Sequence, residues 1–263
     1  MDQPGVAVAL GAGSARGIAH IGVLQVLESA GIRVEYVAGA SIGSLIGALF
    51  AAGIDLHRLE QLACSIRLKH IVDFVVLPGK GGVIQGEKLQ ELLNVFLRGK
   101  TFGDLKIPLA IVATDLVTGD EVVFREGLVV GAILASCAIP GVFVPVRCAG
   151  RLLVDGGLID RVPIRVLQEM GEAPMIGVDV GPNLRTGRFR SAAEVTLQAI
   201  DIMQEEIVRL KTRKADIFIR PDVGEFSSVR LDKAAELIQR GRDAAWEALP
   251  QIEELIQERK IRG

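Results

Sequence analysis

Apolar positions in this chain come in two rhythms that take turns. Val6–Leu10 is an unbroken apolar run entering a glycine loop, the pattern of a strand buried on both faces. Helical spacing begins at about Arg16, continues to Ala30 and closes at Gly31. A second strand is predicted at Val34–Ala38 and an apolar helix at Ser41–Ala52, stopped by Gly53. Glu87–Leu97 reads as a helix stopped by Gly99. Ile107–Thr114 and Glu121–Phe124 read as strands around a Thr118-Gly119-Asp120 turn. Residues 128–138 are helical up to Ile139-Pro140-Gly141, and the strand Leu152–Val154 runs into Asp155-Gly156-Gly157. Pro163–Met170 has a proline near its start, as helices do. Met175–Val180 and Ile217–Arg220 read as strands, and Ala192–Arg213 and Leu231–Arg259 as long amphipathic helices. Strands alternating with helices predict an α/β sandwich around a largely parallel sheet.

The pattern changes character near residue 180. Residues 1–180 hold 25 of the 30 glycines and 33 of the 62 charged residues, and the remaining 83 residues hold the other 29 charges. The first part is a buried, tightly turned body of about 6–180. The second, about 181–263, is a helical tail packed on it. No Ser/Pro-rich linker separates them, so one domain over 1–263 is expected. In the tail, Leu231, Ala235, Ile238, Ala245, Leu249, Ile252 and Ile256 recur at helical spacing with Trp246 beside them. That stripe is expected to pack on the body, with membrane docking as the alternative. Two stretches, 36–54 and 127–146, are uncharged and long enough to span a bilayer. Pro140 and Pro145 interrupt the second, neither has a clear Lys/Arg cluster beside it, and a helix buried in a soluble protein reads the same way. The first residues do not form a signal peptide, so a cytoplasmic protein, at most peripheral at a membrane, is expected.

Composition removes several function classes. Lys plus Arg is 30, Asp plus Glu is 32, the net charge is −2 and aromatics are 4%, so there is no basic excess for nucleic acid. Cys64, Cys137 and Cys148 share no CxxC spacing, so no disulfide framework, metal site or cofactor is expected. The histidines are His20, His57 and His70, and nothing beyond residue 70 supplies an imidazole.

Three loops carry chemistry. In GAGSARG (11–17), between a strand and a helix, glycines allow a sharp turn and leave N–H groups for an anion at the helix's positive end. A dinucleotide fingerprint is disfavoured: the sixth position is Arg16, and Glu35 sits near the start of the second strand rather than its end. GASIG (39–43) matches G-x-S-x-G, which places Ser41 on a tight strand-to-helix turn with room made by Gly39 and Gly43. The usual Ser, Asp/Glu, His order of an α/β hydrolase is impossible here. The three histidines read as surface or capping residues. A carboxylate is left as base, and Asp155 comes after an apolar strand and precedes two glycines, although Asp-Gly also favours a plain turn.

Together the segments LGAGSARGIAHIGVLQVLESAGI (10–32), VAGASIGSLIGALFAAG (37–53), ASCAIPGVF (135–143) and VDGGLIDRVPI (154–164) resemble the patatin-like phospholipases, in particular their small bacterial one-domain branch. The resemblance covers roughly the first two thirds of the chain and implies a three-layer patatin-like sandwich. It assigns Ser41 as nucleophile and Asp155 as general base. It assigns the loop of Gly11, Ala12, Gly13, Ser14, Arg16 and Gly17 as oxyanion hole, Gly39 and Gly43 to the nucleophile elbow, and Gly156 and Gly157 to the base loop. Ser136 and Pro140 are given a shaping role. One departure stands out: many members carry three consecutive glycines before the arginine, where this chain has Ala12, Gly13 and Ser14, and positive φ at a non-glycine residue is strained. The implied substrate is a lipid or phospholipid ester, met in transient contact with a membrane surface. The implied reaction is phospholipase A or lysophospholipase chemistry through an acyl-enzyme. A lipid acyltransferase with the same dyad, or a catalytically silent regulatory member, is the alternative. The base must be partly desolvated to work at neutral pH. Arg16 is expected to face away and anchor its loop. Residues 68–86 read as a lid or acyl-chain wall, or as a helix plus a turn. The oligomeric state is left open.

Overall fold

A computed structural model describes residues 5–67, 73, 84–182, 192–211, 215–228 and 230–262. Eight strands form one sheet: β1 (Val6–Leu10), β2 (Val34–Ala40), β3 (Leu109–Asp115), β4 (Glu121–Phe124), β5 (Val146–Cys148), β6 (Arg151–Asp155), β7 (Met175–Val178) and β8 (Ile217–Ile219). The order is β5-β6-β3-β2-β1-β7-β8, with β4 also on β3. Strands β3, β2, β1, β7 and β8 run parallel, while β4, β5 and β6 join antiparallel.

Side-chain size decides what each face accepts. In β1 the alternation VAVAL sends Val6, Val8 and Leu10 to one face and Ala7 and Ala9 to the other. The large-residue face packs on α1 (Ala19–Ser29), α2 (Ile42–Ala51), α3 (Leu56–Ser65), α4 (Glu87–Leu97), α5 (Val129–Ser136) and α8 (Ala234–Arg262). The alanine face, with Ala38, Ala40 and Ala110, takes α6 (Ile164–Gln168) and Val208 of α7 (Ala192–Lys211). Helices thus lie on both sides of a mostly parallel sheet, as the alternating pattern predicts.

The differences from the sequence pattern have local causes. The helical run from Arg16 divides into a 3-10 turn, Ser14–Ile18, and α1. Helix α3 is not predicted by periodicity: it buries only Leu56 and Leu59, and Asp55 starts it by accepting from Arg58 N at 2.9 Å. Strand β5 is likewise not predicted, being three residues long with an exposed Arg147 at its centre. The uncharged stretch 36–54 divides into β2 and α2, and 127–146 into α5 and the chain through Pro140. Among the described residues no helix is long and apolar enough to cross a membrane. In the tail, Ala234, Leu237, Ile238, Ala245, Ile252 and Ile256 of α8 are buried in the main cluster, whereas Trp246 is exposed. Full burial of side chains such as Leu237, Ile238 and Ile252 stabilises by about 1.5–3 kcal/mol each.

Candidate active site

The strand register explains why residues 114 positions apart meet. On β3, β4 covers Ile111–Thr114, β2 covers Leu109–Val112 and β6 covers Ala113–Asp115. Because β4 overlaps both of the others, β2 and β6 must share the opposite edge. They approach head to head along it, with Ala40 opposite Val112 and Asp155 opposite Ala113. The residue after Ala40 is therefore delivered to Asp155.

That residue is Ser41, buried, with φ 52° and ψ −126°. A side-chain-bearing residue is strained there, typically by about 1–3 kcal/mol. The neighbouring glycines are required by contact: a Cβ at Gly43 would collide with the Leu10 carbonyl, and one at Gly39 would lie 2.6 Å from Ser44 N. Ser41 N donates to Ser136 Oγ at 2.8 Å, and Ser136 Oγ donates onward to the Val112 carbonyl at 2.6 Å. Ser136 thus fastens the strained turn to β3, a backbone role more specific than the shaping role expected of it.

Asp155 is held with equal completeness. Its N–H donates to the Ala138 carbonyl at 3.0 Å, and its carbonyl accepts from Thr114 Oγ1 at 2.9 Å. Ser41 Oγ donates to its Oδ2 at 2.5 Å and Gly157 N to its Oδ1 at 2.7 Å. Burial raises its pKa to about 6, against the two hydrogen bonds, which favour the anion. A serine hydroxyl donating to a buried carboxylate that is ionised at neutral pH is the arrangement that nucleophilic catalysis requires.

The 11–17 loop is narrower in its chemistry than its sequence suggests. Gly11 N donates to the Val178 carbonyl at 3.0 Å, Ala12 N to that of Arg161 at 2.9 Å and Arg16 N to that of Gly13 at 3.2 Å. These three cannot serve as anion donors, a correction to their expected place in the hole. Gly17 lies inside the 3-10 turn, packed against Ile42. The half-buried Gly13 and Ser14 have no partner for their N–H groups among the described residues, and both line the cleft. Ser14 carries the strain of the missing glycine, at φ 51°. Arg16 is buried and Nη2 donates to Asp201 Oδ2 of α7 at 3.2 Å, so its charge ties loop to helix. Burial lowers its pKa while Asp201 raises it.

His20 needs correction too. It is fully buried rather than at the surface, and Nε2 lies 2.8 Å from the Gly11 carbonyl, to which it donates. Burial lowers its pKa to about 4, so it is a neutral pin beneath the loop. His57 is exposed on α3, and His70 lies outside the described residues. Arg161, given no role from sequence, is almost fully buried. It pairs with Asp179 at 2.6 Å and with Glu205 of α7 at 3.2 Å, while its carbonyl holds Ala12 N. Its signal in the sequence is a charged Asp160-Arg161 pair inside an otherwise apolar segment.

Ser41, Asp155, Ala12, Gly13, Ser14 and Pro140 share a cleft closed by Ile139, Leu158 and Ser228 and, from α7, by Ile200, Asp201 and Gln204. The lid reading of 68–86 falls mostly outside the described residues. Within it, Asp73 accepts from Gly86 N and Glu87 N, each at 2.9 Å, and caps α4. Among the described residues no group of three or more His, Cys, Asp or Glu side chains is placed to hold a metal.

The sequence model of the patatin-like phospholipase family matches residues 8–167. An uncharacterized NTE family protein of Mycobacterium tuberculosis is 38% identical over 179 residues, covering 68% of this chain and 47% of that protein. The mouse patatin-like phospholipase domain-containing protein 6 is 34% identical over 185 residues, covering 67% of this chain and 13% of that protein. The chain spans less than half the length of these curated relatives. Among solved structures, VipD from Legionella pneumophila superposes with a TM-score of 0.55 at 16% identity, over 95% of this chain and 67% of that one. The type III effector protein ExoU gives 0.53 at 18%, over 94% and 53%. At those identities the likeness is one of fold.

Proposed function

This chain belongs to the patatin-like phospholipase family, and on that premise we propose that it hydrolyses acyl esters of lipids, with Ser41 as nucleophile and Asp155 as base. The observation that carries this reading is the 2.5 Å hydrogen bond from Ser41 Oγ to the buried Asp155 carboxylate. As Oγ attacks the acyl carbonyl carbon, its proton passes to Oδ2. The carbonyl oxygen becomes an oxyanion that accepts from Gly13 N–H and Ser14 N–H, each such donor contributing about 2.7–4 kcal/mol to the transition state. Collapse breaks the ester bond, and the leaving alkoxide takes the proton from Asp155. Water then gives its proton to Asp155 and attacks the acyl-enzyme, the fatty acid leaves, and Ser41 recovers its proton. A pKa near 6 suits this base: Asp155 is ionised at neutral pH and a far stronger proton acceptor than an exposed aspartate.

The choice of a lipid ester has support beside the cleft. An apolar pocket lies among α1, α2, α3 and α4, lined by Ile21, Leu45, Leu49, Leu62, Ala63 and Leu93 among other apolar side chains. The same three pieces of chain wall both spaces. The 3-10 turn gives Ser14 to the cleft and Ile18 to the pocket, the elbow gives Ser41 and Ile42, and the segment after Phe226 gives Ser228 and Leu231. An acyl chain seated in the pocket would lie just behind the turn that carries Ser41. Phospholipase A or lysophospholipase activity at a membrane surface is the reaction that fits both spaces.

The test compares wild type, Ser41→Ala and Asp155→Asn on nitrophenyl butyrate and on a diacyl phospholipid. The reading predicts turnover of both by wild type and losses of about 10^3-fold or more in each variant. An inert wild type would overturn the hydrolase, and an Asp155→Asn variant as fast as wild type would remove Asp155 from its role.

A further inference from the structure

Helix α7 is amphipathic in the reverse of the usual sense. Apart from the buried Val208 and the cleft-lining Ile200, its inward face is charged and polar: Asp201 pairs with Arg16, and Glu205 pairs with Arg161 at 3.2 Å and with Arg220 at 3.3 Å. Gln204 is buried and walls the cleft together with Asp201. Its outward face carries Val195, Ile202, Met203 and Leu210, which are 54%, 51%, 58% and 64% exposed. They are four of the nine large apolar side chains that the described residues leave exposed. At helical rotation they fall within a stripe roughly 100° wide, with the exposed Ala199 in its middle. One charge interrupts the stripe, Glu206, and Arg209 pairs with it at 2.5 Å. A surface helix ordinarily turns such a stripe to the core. Here the ion pairs hold the opposite face inward, and the apolar one is left for another apolar phase.

Two observations choose that phase. The helix that bears the stripe also walls the cleft, so a surface against the stripe lies within about one helix diameter, roughly 10 Å, of the site. The sequence beside α7 is basic, with Arg185, Arg188 and Arg190 before it, Arg213 and Lys214 after it, and no acid in 183–191 or 212–214. That suits anionic headgroups. Resting on the lipid-ester reading of the cleft for its choice of occupant, we propose that the Val195, Ile202, Met203 and Leu210 face of α7 docks the protein onto an anionic lipid surface. Docking places the cleft wall at the layer that holds the ester.

The test is co-sedimentation with vesicles of phosphatidylcholine containing phosphatidylglycerol, using wild type, Ser41→Ala and the double variant Ile202→Glu/Met203→Glu. Wild type and Ser41→Ala are expected to bind alike. The double variant is expected to bind roughly tenfold or more weakly, while its melting temperature stays at the wild-type value and its nitrophenyl butyrate turnover within about twofold of wild type. Vesicle binding without any ester turnover by wild type would sink the hydrolase and leave the docking face standing. Wild-type failure to bind, or undiminished binding by the double variant, would overturn the docking face. So would a wild-type dimer in sedimentation velocity that the double variant converts to a monomer with unchanged vesicle binding, since a second copy would then be the occupant.

Discussion

The cleft has two walls built on opposite principles. The wall at the sheet's end holds Ser41 and Asp155 through backbone hydrogen bonds to β3, Ser136 and Ala138, deep in the protein. The α7 wall is held by ion pairs around the buried Val208, with an apolar stripe facing out. The first fixes reacting atoms to one another. The second is joined through charges that tolerate small displacements. On the proposed function, chemistry and access fall to separate elements, so that each can be perturbed without the other.

The largest expected effects fall on Ser41 and Asp155. Ser41→Ala and Asp155→Asn are expected to lose about 10^3-fold on soluble and vesicle-borne esters alike, because the sheet wall serves every substrate. Parallel kinetics on both substrates check it.

Next in size is a pH effect confined to the same wall. The Asp155 carboxyl is raised to about 6 in the fold, so its stabilising proton is fully present below its ordinary value and lost as pH rises through about 6. His20 is lowered to about 4, so its contribution is fully present above its ordinary value and lost as pH falls through about 4. The two run oppositely between about pH 4 and 6 and largely cancel. Asp155→Asn removes the first and exposes the second. The variant is expected to be more stable than wild type at neutral pH and to lose roughly 3 kcal/mol on going to about pH 4. Urea midpoints at the two values measure this, and a pH slope unchanged from wild type would contradict it.

Ser136→Ala leaves Ser41 N and the Val112 carbonyl without their shared partner, so a stability loss of about 1–3 kcal/mol and a fall in kcat are expected, with KM little moved. In the apolar pocket, Ala63→Phe is expected to slow a long-chain ester about tenfold and spare a butyrate, read from kcat/KM across chain lengths. The smallest effect is a reversal of the usual order: Ser41→Gly relieves the positive φ that Ser41→Ala retains, so the glycine variant should be the more stable by about 1–2 kcal/mol in thermal melts.

Much of the sheet wall is legible in the sequence because its constraints are local. VAVAL announces a central strand with unequal faces, and GASIG announces a turn that its flanking glycines make possible. A carboxylate base is left because no histidine lies beyond residue 70, and the patatin-like resemblance singles out Asp155. The features that cannot be read depend on distant partners. The free N–H groups of the 11–17 loop are decided by Val178 and Arg161, which claim Gly11 and Ala12. His20 reads as a surface residue because its satisfying acceptor, the Gly11 carbonyl, is invisible to periodicity. Periodicity shows that both tail helices have an apolar stripe, but not its direction. In α8 the stripe meets the core, and in α7 the ion pairs of Asp201 and Glu205 turn it outward.

Activation of Ser41 by Asp155 can be read without any lipid substrate. Labelling with a fluorophosphonate ester, and then peptide mass spectrometry across a range of pH, tests it most directly. A single adduct on Ser41 is expected, with a labelling rate that rises with an apparent pKa of about 6 and no adduct in Ser41→Ala. An adduct on another residue, or Ser41 labelling at a wild-type rate in Asp155→Asn, would contradict it.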